Sequence, residues 1–483
     1  MIAPLPEGFG IAADPDTKAV DEHTLYGGAP ARVMRLSAAG RAAWQELQGA
    51  PVATPAAGAL ARRLTDAGMA HPRPPRLHGA PDVTVVVPAR ERAEMLDACL
   101  GALGDRFPVV VVDDGSARPD TIAAVAEHHG ARLVRRSSSG GPAAARNRGV
   151  AEVRSELVAF VDSDCVPAGD WIERLACHFA DPLVAAVAPR IVPADSPRTS
   201  RRSVEAYSAV NGSLDLGARA ARVVPASRVP YVPAAALVVR RAALAAASSG
   251  ALPAGAEAFD TSLRYGEDVD LVWRLHEAGW RIRYDPAVRV AHHEPRTWRE
   301  LLVRRFRYGT SAAPLARRHP EATVPLVLQP GPALAVVGLL GRRTALVGSG
   351  VAVSALALAS GLRRARLPQE GLLRGAGRSL YQTWLGVGRY ADQFAAPALL
   401  AALIVARRGT RLVLAALVLG PALDRLVTRR PAMDPVRFAL AQLADSTAYG
   451  AGVWLGCARE RTLRPLRPVV VWHPVRSGSS GKG

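Results

Sequence analysis

The run Val83-Thr-Val-Val-Val87 is apolar at nearly every position, without the alternation of a half-exposed strand. Such a run fits a short strand covered on both faces. Pro108 to Val112 and Leu157 to Val161 repeat the pattern. A more polar run, Arg132 to Arg135, stands between them. Helical spacing fills the gaps at Ala93 to Leu103, Thr121 to His129 and Ala143 to Glu152. The alternation predicts a doubly wound, mostly parallel α/β sheet with its ligands at the carboxyl ends of the strands.

Upstream, Val33 to Leu36 reads as a strand and Ser37 as the N-cap of a helix carrying Trp44 and Leu47 on one face. A second helix is expected from Ala56 to Ala67, then a Pro-rich linker from His71 to Arg76. Strand, helix, helix suggests a small winged-helix-like module over residues 1–78, before a catalytic domain over 79–320. Residues 321–483 are rich in Ala, Leu and Val and predict an apolar helical region. Thr344 to Leu362 carries no charge and is long enough to span a bilayer. Ala395 to Ala406 and Leu412 to Leu423 are shorter, separated by Arg407-Arg408-Gly-Thr-Arg411. These two fit a re-entrant hairpin, an interfacial pair or a soluble packing layer. Ser477 to Gly483 reads as a disordered tail.

Composition narrows the partners. The net charge of +19 comes almost wholly from arginine, with Lys18 and Lys482 as the two lysines. The arginines are dispersed without aromatic interleaving, which argues against nucleic acid and for phosphates or acidic headgroups. Four cysteines, Cys99, Cys165, Cys177 and Cys457, form no CxxC pair, so reduced thiols rather than zinc are expected. The N-terminus has no basic and apolar run of the secretory type, so no secretory signal is expected.

Each apolar strand delivers a polar turn to the same edge: Pro88-Ala-Arg90-Glu91, Asp113-Asp114-Gly115-Ser116 and Asp162-Ser163-Asp164. Asp162 and Asp164 would repel each other unless a cation lies between them, and oxygen ligands favour Mg²⁺ or Mn²⁺. Gly140-Gly141-Pro142 opens a helix whose N-terminus suits an anion, with Arg146 one turn in to reach phosphate or pin the Asp loop. Further on, Gly266-Glu267-Asp268-Val-Asp270 starts another helix. A carboxylate there suits a general base, Asp268 first and Glu267 second, with Asp270 a helix-surface or supporting group.

Val85-Val-Val-Pro88, Asp113 to Ser116, Gly141 to Asn147 and Asp162-Ser163-Asp164 together resemble family 2 glycosyltransferases of the GT-A fold, over about 210 residues. The resemblance implies a nucleotide-sugar site formed by Pro88, Arg90, Glu91, Asp113, Asp114, Gly141, Arg146 and Asp162. It implies metal ligation by Asp162 and Asp164, with His292 or His293 completing the set, and an inverting mechanism. The Gln-x-x-Arg-Trp motif of processive members is missing; Arg304 to Gly309 stands there with Tyr308. The three-zone layout, with an N-terminal stretch like the peptide-recognition domains of ribosomal-peptide pathways, resembles the mycofactocin-system glycosyltransferases of actinobacteria. That implies UDP-glucose as donor, a peptide-derived redox cofactor as acceptor, a short β-linked glucose chain, and a site in the cytoplasm or on the cytoplasmic face of the membrane. The rivals are a membrane-associated transferase of envelope glycan or glycolipid, and a non-catalytic peptide-binding protein with a degenerate transferase domain.

Overall fold

The computed structural model describes residues 3–77, 79–194, 204–250, 257–369 and 371–472. The expected tail lies outside them. The chain divides into two compact units. One comprises Met1–Pro30, Met34–Pro197 and Asn211–Glu294; the other comprises Ala31–Val33, Arg198–Val210 and Pro295–Gly483.

The first unit begins with strands β1 (Gly10–Ala13), β2 (Lys18–Asp21), β3 (Thr24–Gly27) and β4 (Arg32–Arg35), helices α1 (Ala38–Gly49) and α2 (Pro55–Asp66), and strand β5 (Ala70–Arg73). Ser37 caps α1 as its sequence position requires, its side chain accepting from the Gly40 amide. Leu5, Phe9, Leu25, Leu47, Leu60, Leu64 and Met69 give this segment its own core. The linker expected at His71 to Arg76 is in part a strand: β5 pairs antiparallel with β1, Ile11 opposite Pro72. His71 Nε2 meets Asp14 Oδ2 at 2.9 Å.

The segment is fastened to the sheet that follows. Asp181 accepts two bonds from the Arg62 guanidinium, at 2.7 Å each. Arg281 pairs with Asp66 at 2.8 Å, and Arg222 donates to the Asp66 carbonyl at 2.6 Å.

Then come β6 (Val83–Ala89), α3 (Ala93–Leu103), β7 (Val109–Asp114), α4 (Pro119–His128), β8 (Arg132–Arg136), α5 (Gly141–Val150), β9 (Leu157–Val161), β10 (Cys165–Pro167), α6 (Trp171–Ala176) and β11 (Val184–Pro193). After α7 (Val204–Asn211), which up to Val210 belongs to the second unit, the run closes with β12 (Ala221–Arg222), β13 (Ala236–Arg240), α8 (Arg241–Gly250), α9 (Glu267–Glu277) and β14 (Arg281–His292). The strand order is β10-β14-β11-β13-β9-β6-β7-β8, with β12 beside β14. Neighbours from β9 to β8 are parallel, and β11 is parallel to β14; β13 runs against both of its neighbours. The expected α/β class and mostly parallel sheet therefore hold. Helix α3 buries Leu96, Cys99, Leu100 and Leu103, the spacing of one helical face. Each buried leucine contributes about 1.5–3 kcal/mol. Helix α5 lies very close to β6: a Cβ on Gly149 would sit 2.3 Å from Val86 Cγ1, so a larger residue would lift the helix from the sheet.

The second unit holds α10 (Trp298–Thr310), α11 (Ala312–Arg318), β15 (Val327–Leu328), α12 (Pro330–Leu340), α13 (Thr344–Ala365), α14 (Leu372–Phe394), α15 (Ala396–Val405), α16 (Arg408–Arg429), α17 (Pro435–Glu460) and β16 (Val469–Val470). The second unit takes in the chain from Pro295 on, and α10 and α11 pack on α17 among its helices. A Cβ on Gly452 of α17 would lie 1.9 Å from the Phe306 carbonyl of α10, so the two backbones all but touch. Asp445 of α17 accepts from Tyr207 at 3.0 Å and from Arg305 Nε at 2.5 Å. Among the described residues α13 alone is long and apolar enough to cross a membrane.

Candidate active site

Three carboxyl ends meet where the apolar runs predict. β7 ends in Asp113 and Asp114, and parallel register sets Arg135 and Arg136 of β8 opposite them. Asp113 accepts from the Ser116 amide at 2.9 Å and from Arg135 at 2.8 Å. Asp114 accepts from Arg136, Ser139 Oγ and the Gly140 and Gly141 amides, all within 3.0 Å. Both carboxylates are buried, and their bonds hold the β7 turn and the entry to α5. Within the chain these bonds give both side chains a framework role: Asp114 accepts four and Asp113 two. Gly141, expected at the nucleotide, spends its amide on Asp114.

Glu91 fastens the β6 loop to the same turn: its amide donates to Ser116 Oγ at 2.9 Å, and its carboxylate accepts from the Ala117 amide at 2.7 Å. Glu91 and Arg92 both have φ near +56°, a costly region for residues with a Cβ. Pro88 lies opposite Val112 in the register, and Arg90 beside it is exposed.

Arg146 is the hub. Its buried guanidinium donates to Asp162 Oδ1 and to Glu267 Oε1, at 2.7 Å each, and stacks 5.6 Å from the centre of the Phe259 ring. Through these bonds Arg146 pins the Asp loop, the second of the two roles its position suggests. Next to it, Asn147 brackets Phe259, donating to its carbonyl at 2.7 Å and accepting from its amide at 2.9 Å. The approach to α9 is thereby tied to α5.

Burial, with Asp268 beside it and Arg146 opposing, pushes the Glu267 carboxyl up to about 7. Asp268 is less buried, and its Oδ2 accepts from the Ala234 amide at 3.1 Å. Asp270 is no helix-surface group: it is buried and pairs with Arg274 at 2.8 Å. Arg274 also donates to the Ala247 and Ala258 carbonyls, which makes the pair a clamp on α9.

Burial raises the Asp162 carboxyl, opposed by Arg146 and reinforced by Asp164. Asp164 Oδ2 lies 3.7 Å from His292 Nε2 and 3.7 Å from Arg92. His292 Nδ1 meets Glu294 Oε1 at 3.1 Å. A donor hydrogen on Nδ1 leaves a lone pair on Nε2 facing a carboxylate, an arrangement suited to a shared cation. His293 touches Asp164 through its backbone amide, at 2.9 Å. Asp162, by contrast, is turned toward Arg146. Among the described residues, the tight group of metal-type ligands is instead Asp97, His128 and His129, on α3 and at the end of α4. The four cysteines are free thiols, as expected.

Arg92, Arg135 and Arg136 escaped the motif reading. The last two lie opposite the Asp pair in a simple strand alignment, a signal available in the sequence.

The chain matches the Glycosyl transferase family 2 model over residues 84–245. It is 39% identical over 480 residues to the pre-mycofactocin glycosyltransferase of Mycobacterium tuberculosis (strain CDC 1551 / Oshkosh), covering 96% of this chain and 98% of that one. The chain belongs to the family 2 glycosyltransferases, and within that family it resembles the mycofactocin-system enzyme along its whole length. An N-acetylglucosaminyltransferase of Rhizobium meliloti is 28% identical over 250 residues, 48% of this chain and 55% of its own. A mannosyltransferase of Pyrobaculum calidifontis, solved in complex with GDP-Man and Mn²⁺, covers 73% of this chain and 89% of its own at 21% identity and a TM-score of 0.38.

Proposed function

We propose that the chain transfers glucose from UDP-glucose, with inversion, to a peptide-derived redox cofactor of the mycofactocin type, building a short β-linked glycan. The observation that carries this reading is the 39% identity sustained over 96% of the chain, N-terminal segment included. The residues supply a coherent chemistry. The acceptor hydroxyl oxygen bonds to the anomeric carbon, the bond from that carbon to the diphosphate oxygen breaks, and Asp268 takes the hydroxyl proton. Glu267, held by Arg146, keeps Asp268 at the head of α9. Pro88, Arg90 and the Asp162 loop face the nucleotide. A divalent ion, Mn²⁺ or Mg²⁺, fits Asp164 and His292 with Asp162 beside them, and when bound it neutralises charge on the departing nucleoside diphosphate. Residues 1–78 serve as the peptide-recognition module. A nucleotide-sugar donor implies a catalytic domain exposed to the cytoplasm.

A second reading, transfer to a lipid of the cell envelope, is favoured by the exposed apolar side chains of α15 and α16.

The test is mass spectrometry of an acceptor pool from cells of the same source lacking this gene, after addition of the purified protein, Mn²⁺ and UDP-glucose. Hexose additions on a peptide-derived redox compound, lost in Asp164→Ala, are expected. Hexose on lipid alone would replace the first reading by the second, and no transfer from any nucleotide sugar would favour a binding protein.

A further inference from the structure

The helical unit turns apolar side chains outward. On α16, Leu412, Leu419, Leu423 and Val427 recur at intervals of seven, four and four and share one face, and all four are exposed. The same helix buries Leu417, Val418, Pro421 and Ala422 on its other side. On α15, Leu400, Ile404 and Val405 are 56%, 75% and 82% exposed, and Ala396 is its one buried residue. Single apolar side chains on a surface are ordinary, but a group of them on each of two consecutive helices marks an interaction site.

Arginines rim this set. Arg407 stands at the N-cap of α16 with Arg408 and Arg411 in its first turn, and Arg411 closes the end of α15 by donating to the Ile404 and Ala406 carbonyls, at 3.1 and 3.2 Å. The α12–α13 turn lies against that first turn, because a Cβ on Gly409 would come within 2.2 Å of Arg342 Nη1. Arg343 is next in the chain. From Pro330 to Leu423 the sequence has 11 arginines against two acids, Glu370 and Asp392, and Asp392 is buried.

An apolar face rimmed by guanidinium groups matches an anionic lipid surface: the leucines enter the acyl boundary and the arginines meet the headgroups. A second copy matches poorly, since an isologous contact would set one arginine rim against another. The ten residues of α15 span about 15 Å, half of a hydrocarbon core of about 30 Å, so the hairpin fits along the interface rather than across it.

We propose that the α15–α16 hairpin, with the α12–α13 turn, is a docking surface for an anionic lipid bilayer. The inference is independent of the sugar and acceptor proposed above. Full-length protein is floated with phosphatidylcholine vesicles, with and without phosphatidylglycerol, at low and high salt. Two variants accompany it: Leu400→Ser with Ile404→Ser and Val405→Ser, and Arg407→Glu with Arg408→Glu. All five side chains are exposed, so circular dichroism and Tm should match wild type. Binding that requires phosphatidylglycerol, weakens in salt and falls about 10-fold or more in each variant is expected. Binding indifferent to phosphatidylglycerol, or variants that float like wild type, would overturn the proposal. So would a wild-type dimer by light scattering that the same substitutions dissociate.

Discussion

Arg62 and Asp181 form a two-pronged ion pair with both side chains buried, joining a helix of the N-terminal segment to the turn before β11. Arg62 donates further to the Ala3 carbonyl at 3.0 Å and the Pro4 carbonyl at 3.3 Å, so one guanidinium gathers the chain terminus, α2 and the sheet. Removing one partner strands the other charge in the interior. Arg62→Ala is expected to cost about 3–5 kcal/mol in denaturant unfolding. Replacing both partners, Arg62→Met with Asp181→Leu, should cost clearly less than the single change. Equal losses would show that the pair is incidental to the fastening.

His292 and His293 divide by direction. His292→Ala should weaken Mn²⁺ binding, read by electron paramagnetic resonance of the free ion, roughly 10–100-fold. His293→Ala should leave it within a few-fold, since that residue meets Asp164 through its backbone. The reverse order would reassign the ligand.

At the head of α9, Asp268→Asn should lower kcat by roughly 10²–10⁴-fold with little change in Tm. Glu267→Gln should also lower Tm, because it breaks a buried bond to Arg146. If Glu267→Gln instead removed activity while Asp268→Asn did not, the base would be Glu267.

Asp392 on α14 is buried, with Oδ1 unpartnered, and burial pushes its carboxyl up to about 7 from the usual 3.8. The raised value means that the fold favours the protonated form. Its contribution is fully present below 3.8 and is lost as pH rises through about 7. Wild-type Tm should therefore decline across that window by more than Asp392→Asn declines, and the variant should be the more stable at pH above it. Parallel Tm profiles would contradict this.

The sheet was legible because three nearly unbroken apolar runs admit few other structures, and the strand ends carried the polar turns with them. The burial of His292 follows from strand parity, since Val288, Val290 and His292 alternate inward on β14. The bonds from Arg135 and Arg136 to Asp113 and Asp114 needed the β7–β8 register, which no single motif contains. The packing of α10 was hidden because its partner is α17, more than a hundred residues later, and nothing local to α10 announces it. Arg62 likewise gives no local hint of Asp181.

Arg146 answers to two carboxylates from distant parts of the sequence, Asp162 sixteen residues on and Glu267 a further stretch away, 121 residues from the arginine. Neutralising Arg146 would leave two carboxylates facing each other without their cation, whereas neutralising either acid leaves one matched pair. Divergence among relatives at these positions should accordingly be concerted, with Arg146 exchanged only alongside its acidic partners. The Asp162 loop and the head of α9, which look like separate signatures when the chain is read from end to end, are held by one guanidinium.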